Sequence, residues 1–163
     1  MIAAMTTLAP PAAFEPEFLA ALHDLFEQRI AFNRVLGLVI DEITASGVTG
    51  HLDMRPELIG HDLHQRLHGG VISAALDAMA GVATMAALGA RHLDELPAER
   101  MRRFAKLGTI DLRIDYLRPA IGVRFGMRGE VLRLGSRVAS TRMEMVDADG
   151  KLLATGSAAY IVS

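Results

Sequence analysis

The stretch from Val71 to Ala90, VISAALDAMAGVATMAALGA, limits the possible folds more than any other part of the chain. It is apolar on every helical face and contains a single ionisable residue, Asp77. Its length alone would allow a membrane span. However, most of its residues are small, no second such stretch exists, and the acid lies one third of the way along. We therefore predict a buried helix over residues 70–90, wrapped by the rest of a protein that does not enter a membrane.

Six runs on either side of this helix have the character of β-strands. Ser46-Gly47 joins the first two into a hairpin, and turn sequences such as Asp147–Gly150 separate the later four. The runs are Leu38–Ala45, Val48–Met54, Thr109–Leu117, Gly122–Leu134, Arg137–Val146 and Leu152–Val162. Because short turns favour antiparallel neighbours, we expect one antiparallel sheet of five to six strands curled around the helix, which is an α+β fold.

The N-terminal part of the chain contains a tail and a further helix. Pro10-Pro11 end the predicted tail, residues 1–13. Apolar residues then recur at spacings of three and four, which predicts one amphipathic helix over residues 14–33. They are Phe14, Phe18, Leu22, Leu25, Phe26 and Ile30. A chain of 163 residues suits one domain, so we expect residues 14–163 to form a single unit.

The composition excludes several classes of protein. The absence of cysteine removes disulfides, zinc fingers, iron–sulfur clusters and thiol nucleophiles. The first basic residue is Arg29, so the N-terminus lacks the positive region of a secretory signal and we expect a cytoplasmic protein. Tryptophan is absent and few aromatic residues lie among the arginines, which disfavours nucleic acid as a partner.

The charge is unevenly distributed although its net value is only −2. Residues 1–99 contain five arginines against thirteen acids, whereas residues 100–142 contain eleven basic residues against three acids. Two interpretations remain open: a solvated strand face, or a surface that binds a phosphorylated ligand through the planar fork of arginine.

Half of the six histidines lie in residues 60–70, GHDLHQRLHGG, which raises the possibility of a metal site. On a continuous helix, His61, His64 and His68 would project from one face and could bind zinc. However, Gly69-Gly70 is a poor helix interior, Gly60 also favours a loop, and no fourth ligand is implied. We therefore predict no metal.

The glycine pair is more informative as the start of the buried helix. The first turn of a helix presents unpaired N–H groups at the positive end of the helix dipole, and glycine allows close approach to them. Such a site suits an anion or an oxyanion. Asp77 lies two turns after Gly70 on the same side, where a carboxylate suits a general base or a nucleophile. The alternative is an Asp77 that only bonds a neighbouring backbone group or an arginine.

The string LHGGVISAALDAMAGVA resembles the signature of hotdog-fold acyl-CoA thioesterases of the PaaI-like branch: HGG, then an acid nine residues after the histidine on a long buried helix. The resemblance extends from Leu36 to Val162 and includes TIDLRIDYLRPA, GSRVASTRMEM and GSAAYIV. It implies a hotdog fold and hydrolysis of acyl-CoA, with no metal or redox cofactor because coenzyme A is part of the substrate.

The resemblance also implies roles for individual residues. It implies that Asp77 attacks the thioester or activates water, that the Gly69 N–H stabilises the oxyanion, and that the Thr109 hydroxyl positions the acid or the water. His68 and Gly70 would order the pocket around the substrate.

One position departs from the family pattern. Many members have Asn or Gln six or seven residues before the motif histidine, where this chain has Asp62 and His61. We favour His61 for the role of that amide because it follows Gly60 and can donate a hydrogen bond.

Family members are homodimers or dimers of dimers with active sites between subunits, so the resemblance implies the same here. Arginines near the pocket mouth would then bind the phosphates of coenzyme A. The first candidate is Arg137, which follows Gly135-Ser136, and Arg113 and Arg118 come next.

Two other functions fit the same scaffold. One is a hydratase or dehydratase relative, which would require a different arrangement of Asp and His. The other is a non-catalytic protein that binds acyl-CoA or lipid, which the missing amide residue favours.

Overall fold

The computed structural model describes residues 14–163, so the predicted tail, residues 1–13, lies outside the described residues. The helices are α1 (Pro16–His23), which continues as a π-helical segment (Asp24–Arg29), α2 (Ala31–Leu36), α3 (Gly69–Arg91) and α4 (Pro97–Arg102). The strands are β1 (Val39–Thr44), β2 (Gly47–Asp53), β3 (Ile59–His61), β4 (Arg66–Leu67), β5 (Gly108–Tyr116), β6 (Arg124–Leu134), β7 (Val138–Val146) and β8 (Leu152–Ile161).

A six-stranded antiparallel sheet in the order β1-β2-β6-β7-β8-β5 packs on α3. Two glycines of the sheet allow this close approach. A Cβ at Gly129 would lie 2.9 Å from the carbonyl oxygen of Met79, and one at Gly50 would lie 3.1 Å from the sulfur of the same residue. Sheet and helix thus share one core, and the predicted arrangement of a curved sheet around a buried helix is confirmed.

The helix α3 spans Gly69–Arg91, one residue longer at each end than the predicted range 70–90. By length and composition it is the one helix of the described residues that could cross a membrane. Two thirds (67%) of its most apolar window is buried inside the fold, which is the environment of a core helix.

The N-terminal region differs from the single helix predicted over residues 14–33. The backbone leaves the helical conformation at Ile30 (φ −74°, ψ 101°), and α2 then continues to Leu36. The Asn33 side chain donates a hydrogen bond of 2.9 Å to the carbonyl oxygen of Phe26, which satisfies an acceptor at the break. The apolar spacing does not reveal the break because both segments bury residues in the same core.

The expectation that consecutive strands are neighbours is wrong for β5 and β6. Only seven residues join them, but β5 pairs with β8 at the far edge of the sheet. Seven extended residues span up to ~23 Å, more than the ~14 Å across three strand spacings. The connection pairs instead with β4, where the Ala120 carbonyl accepts from the Leu67 N–H at 2.9 Å. β5 therefore lies at an edge of the sheet and has one side without a partner strand among the described residues.

The histidine segment is not helical. It forms the short hairpin of β3 and β4, with a 3-10 turn at Asp62–His64 and a left-handed Gln65 (φ 47°) between them. His61, His64 and His68 therefore do not share a helix face, and the described residues contain no group of three ionisable side chains suited to a metal ion.

Candidate active site

Asp77 on α3 is bound by two hydroxyl groups from adjacent strands. The Thr109 hydroxyl of β5 donates a hydrogen bond of 3.0 Å to Oδ1 of Asp77. The Tyr160 hydroxyl of β8 also lies within hydrogen-bond distance of Oδ1, and it is 2.6 Å from the Asp77 carbonyl oxygen. Thr109 and Tyr160 are register partners in the sheet, so one position of the β5–β8 ladder supplies both donors.

Tyr160 is a site residue that the sequence analysis missed. It is only 3% exposed, and burial together with the hydrogen bond to Asp77 raises the pKa of its hydroxyl. The hydroxyl therefore stays protonated and donates to the carboxylate. No described residue donates a hydrogen bond to Oδ2, so the hydrogen bonds that the carboxylate receives all go to Oδ1. The sequence GSAAYIV contains no signal that identifies Tyr160 as a partner of Asp77, because that contact depends on the pairing of β8 with β5.

The glycine pair begins α3 as the sequence predicts. His68 caps the helix, and its Nδ1 accepts a hydrogen bond of 2.8 Å from the Gly70 N–H. The Gly69 carbonyl accepts from the hydroxyls of Tyr116 at 3.0 Å and Ser73 at 3.1 Å. Within residues 14–163, the Gly69 N–H has no hydrogen-bond acceptor. It is therefore free to bind an oxyanion at the positive end of the helix.

A pocket of about 460 Å³ opens beside this N–H. Its lining includes His61, His68, Gly69, Tyr116 and Arg118. The ring of His61 packs against that of His64 at a centroid distance of 4.7 Å, and its buried Nδ1 has no partner among the described residues.

Asp62, the other residue considered for the amide role, is exposed and lies outside the pocket lining. Of the two positions, His61 is thus the one beside Gly69.

Asp77 lies in a different pocket, of about 290 Å³, together with Thr109 and Tyr160. Gly69 and Asp77 are eight residues apart on α3, which corresponds to ~12 Å along the helix axis. One chain therefore does not bring the predicted oxyanion donor and the predicted acid into one pocket.

The predicted phosphate-binding residues are dispersed. Arg118 lines the pocket of Gly69 and donates a hydrogen bond of 2.7 Å to the Leu152 carbonyl oxygen. Arg113 is exposed and forms an ion pair with Asp115 at 3.1 Å. Ser136 and Arg137 lie in the exposed β6–β7 turn. Ser136 lines a cleft of about 340 Å³ that also contains the basic residues Arg102, Arg103 and Lys106.

Known proteins share this architecture and much of this sequence. A profile of the thioesterase superfamily matches residues 64–154. The medium/long-chain acyl-CoA thioesterase YigI of Salmonella typhimurium is 35% identical over 144 residues, which cover 88% of this chain and 93% of that protein. YigI of Escherichia coli strain K12 is 34% identical with the same coverage.

Solved structures of similar proteins have the same fold. A Shewanella oneidensis protein described as related to the thioesterase superfamily is 38% identical, covers 92% of this chain and 100% of its own, and superposes with a TM-score of 0.84. The phenylacetic acid degradation protein PaaI of Thermus thermophilus has a TM-score of 0.63 at 24% identity, over 81% of this chain and 98% of its own, which is a likeness of fold.

The chain belongs to the thioesterase superfamily. The predicted hotdog fold is confirmed, and so is the predicted activity class, a hydrolase of thioesters.

Proposed function

We propose that this protein hydrolyses acyl-CoA thioesters of medium to long chain, with the carboxylate of Asp77 as its nucleophile or general base. The observation that carries this proposal is the arrangement of the Asp77 carboxylate in an otherwise largely apolar pocket. Its Oδ1 is bound by Thr109 and Tyr160, whereas no described residue donates a hydrogen bond to its Oδ2. The printed names of the YigI relatives supply the chain-length class.

We propose further that the complete site forms between two subunits. β5 is an edge strand with large exposed side chains, among them Ile110 and Tyr116. An unpaired edge strand is a template for another strand. If two copies pair antiparallel about Leu112–Arg113, Thr109 of one copy lies opposite Tyr116 of the other. The pocket of Asp77 in one subunit then faces the pocket of Gly69 in its partner, as a homodimer or within a dimer of dimers.

Hydrolysis follows from that arrangement. The thioester carbonyl accepts a hydrogen bond from the Gly69 N–H of the partner, and the α3 dipole stabilises the negative charge that develops on its oxygen. Oδ2 of Asp77 either attacks the carbonyl carbon, giving an anhydride that water opens, or takes a proton from the attacking water. In both routes the C–S bond breaks, and water supplies the oxygen and protons that yield a carboxylic acid and the thiol of coenzyme A.

The remaining predicted residues bind and orient the substrate. His61 and His68 lie beside the carbonyl site, and His61 offers a ring N–H where relatives have an amide. The guanidinium groups of Arg118 and Arg137, with Ser136, suit the phosphates of coenzyme A. No separate cofactor is required, and we expect the enzyme in the cytoplasm.

Asp77→Asn tests the proposal, measured as thiol release from a panel of acyl-CoAs. The amide can neither attack nor take a proton, so kcat should fall by about 10³-fold, comparable with removal of other essential groups. Asp94→Asn, an exposed loop change, is the matched control. A mere twofold loss of kcat in Asp77→Asn would contradict the catalytic role of Asp77. Inactivation of the wild-type protein by a chelator would contradict a metal-free mechanism.

A non-catalytic acyl-CoA-binding protein is the second candidate, favoured by histidine in place of the usual amide at position 61. It predicts that the wild-type protein binds coenzyme A and releases no thiol from any acyl-CoA.

A further inference from the structure

We infer that the N-terminal helical segment, residues 16–36, forms one wall of the acyl-chain site, and that the contact between Gly81 and Phe26 sets the depth of that site and thus the preferred chain length. This inference rests on the proposed thioesterase function.

The pocket of Asp77 has the chemistry of an alkyl site. Among the described residues that line it, only Asp77 is charged, and the hydroxyls of Thr109 and Tyr160 lie beside its carboxylate. Most of the other wall residues are apolar: Ala74, Ala78 and Gly81 from α3, Phe104 and Leu107 from the segment after α4, and Phe26, Ile30 and Phe32 from the N-terminal segment. An acyl chain whose thioester carbon lies beside Asp77 would bury its methylene groups here.

The N-terminal wall is fixed in place by specific contacts. The Phe26 ring is buried and meets the edge of Phe104 at a centroid distance of 5.7 Å. The Asn33 amide bonds the Phe26 carbonyl across the break at Ile30. Phe32, directly after the break, lines the pocket while remaining 59% exposed. The segments on either side of the helix break thus give the pocket one buried residue, Phe26, and one exposed residue, Phe32.

Glycine at position 81 leaves room for the Phe26 ring, and the backbone conformation there does not require glycine. It lies in the interior of α3, where glycine is less stable than alanine, and its φ is not positive. A Cβ added there would lie 3.2 Å from Cε1 of Phe26. Gly81 follows Asp77 by about one helical turn, or ~6 Å. A larger side chain at this position must therefore fill the pocket beyond the carboxylate or displace Phe26.

The N-terminal wall and the acid with its Thr109 partner belong to different segments of the chain. The superfamily profile matches residues 64–154, which include Asp77 and Thr109, whereas residues 16–36 lie outside the matched range. Substitutions in the wall therefore need not alter these two residues.

The test is kcat/KM for acyl-CoAs from four to eighteen carbons, measured on Gly81→Val with Ala87→Val as the matched control on the same helix. We expect Gly81→Val to lower kcat/KM for long chains by about 10- to 100-fold relative to short ones, the range that a few methylene contacts provide. Ala87→Val, outside both pockets, should keep the wild-type profile.

Phe32→Ala provides a second measurement, because Phe32 is exposed and its loss should leave folding intact. It should weaken turnover of long chains and spare short ones. Val35→Ala, an exposed apolar residue of the same helix α2 outside the pocket, should leave the chain-length profile unchanged. An unchanged chain-length profile in folded Gly81→Val overturns the inference; if that variant does not fold, an unchanged profile in Phe32→Ala does so. A wild-type protein that hydrolyses no acyl-CoA overturns the proposed function instead.

Discussion

The two hydroxyl groups beside Asp77 give its two carboxylate oxygens different environments. Oδ1 accepts from Thr109 and lies against Tyr160, while Oδ2 has no described donor. A carboxylate held at one oxygen keeps the other in a constant position, which favours reaction with a bound carbonyl or water. Asp77 and Thr109 could be identified from sequence because both lie in recognisable motifs. Tyr160 could not, since its relevance depends on the β5–β8 register, which a single sequence does not specify.

Tyr160→Phe should lower kcat by about 10- to 100-fold, the range expected for loss of a hydrogen bond to a charged group. KM should change little because the hydroxyl bonds the enzyme's carboxylate and not the substrate. Steady-state kinetics on one acyl-CoA measures both. Thr49→Val, which removes a hydroxyl from β2 outside both pockets, is the control. An unchanged kcat would mean that Thr109 alone positions Asp77.

A buried cation joins α1 and α4, the helices that directly precede the segments carrying Phe26 and Phe104 of the proposed acyl pocket. Arg100 of α4 is fully buried, lies 4.4 Å above the Phe18 ring of α1, and forms an ion pair with Glu15. The Arg100 guanidinium lowers the pKa of the Glu15 carboxyl below its usual value of 4.5. This pair links α4 to the segment whose continuation carries Phe26, so the position of the wall depends on it.

Glu15→Gln should therefore lower the melting temperature by a few degrees at neutral pH, the shift that a small loss in stability produces in a domain of this size. A carboxyl with a lowered folded-state pKa stabilises the fold above its unfolded pKa and loses that contribution as pH falls through the folded one. The difference between variant and wild type should thus disappear in acid. Melting curves from pH 3 to 8 measure it, with Glu17→Gln, exposed on α1, as the control. An equal difference at every pH would contradict an ionic contribution.

At the level of elements, the sequence patterns identified the buried helix and the six strands of the main sheet, but not β3, β4 or the order of the strands. The range of α3 was predictable because a long apolar run bounded by glycines and Arg91 has few alternatives. The break at Ile30 was not, since it depends on a tertiary hydrogen bond from Asn33. The crossing of β5 to the far edge was not either, because a seven-residue connection permits both a neighbouring and a distant strand.

At the level of the whole molecule, the separation of Gly69 from Asp77 is the strongest argument for an oligomer. The two groups proposed to act in one chemical site lie in different pockets of the same chain. An isologous pair of subunits would join them twice, once on each side of the two-fold axis. The edge strand β5 spans the distance between the pockets, with Thr109 near one end and Tyr116 at the other.

Complementation between two inactive variants tests this arrangement directly. Asp77→Asn removes the acid, and Gly69→Pro removes the proposed oxyanion N–H at the first position of α3, where proline is well tolerated. Each variant alone should be inactive. In a two-fold dimer, random exchange of subunits should restore about a quarter of wild-type activity, because half of the dimers then contain one intact site of two. Mixing two preparations of Asp77→Asn controls for the exchange procedure. If activity does not return although mass spectrometry detects mixed dimers, each subunit must contain its own complete site, and the Gly69 N–H is not the donor that acts with Asp77 of the other chain.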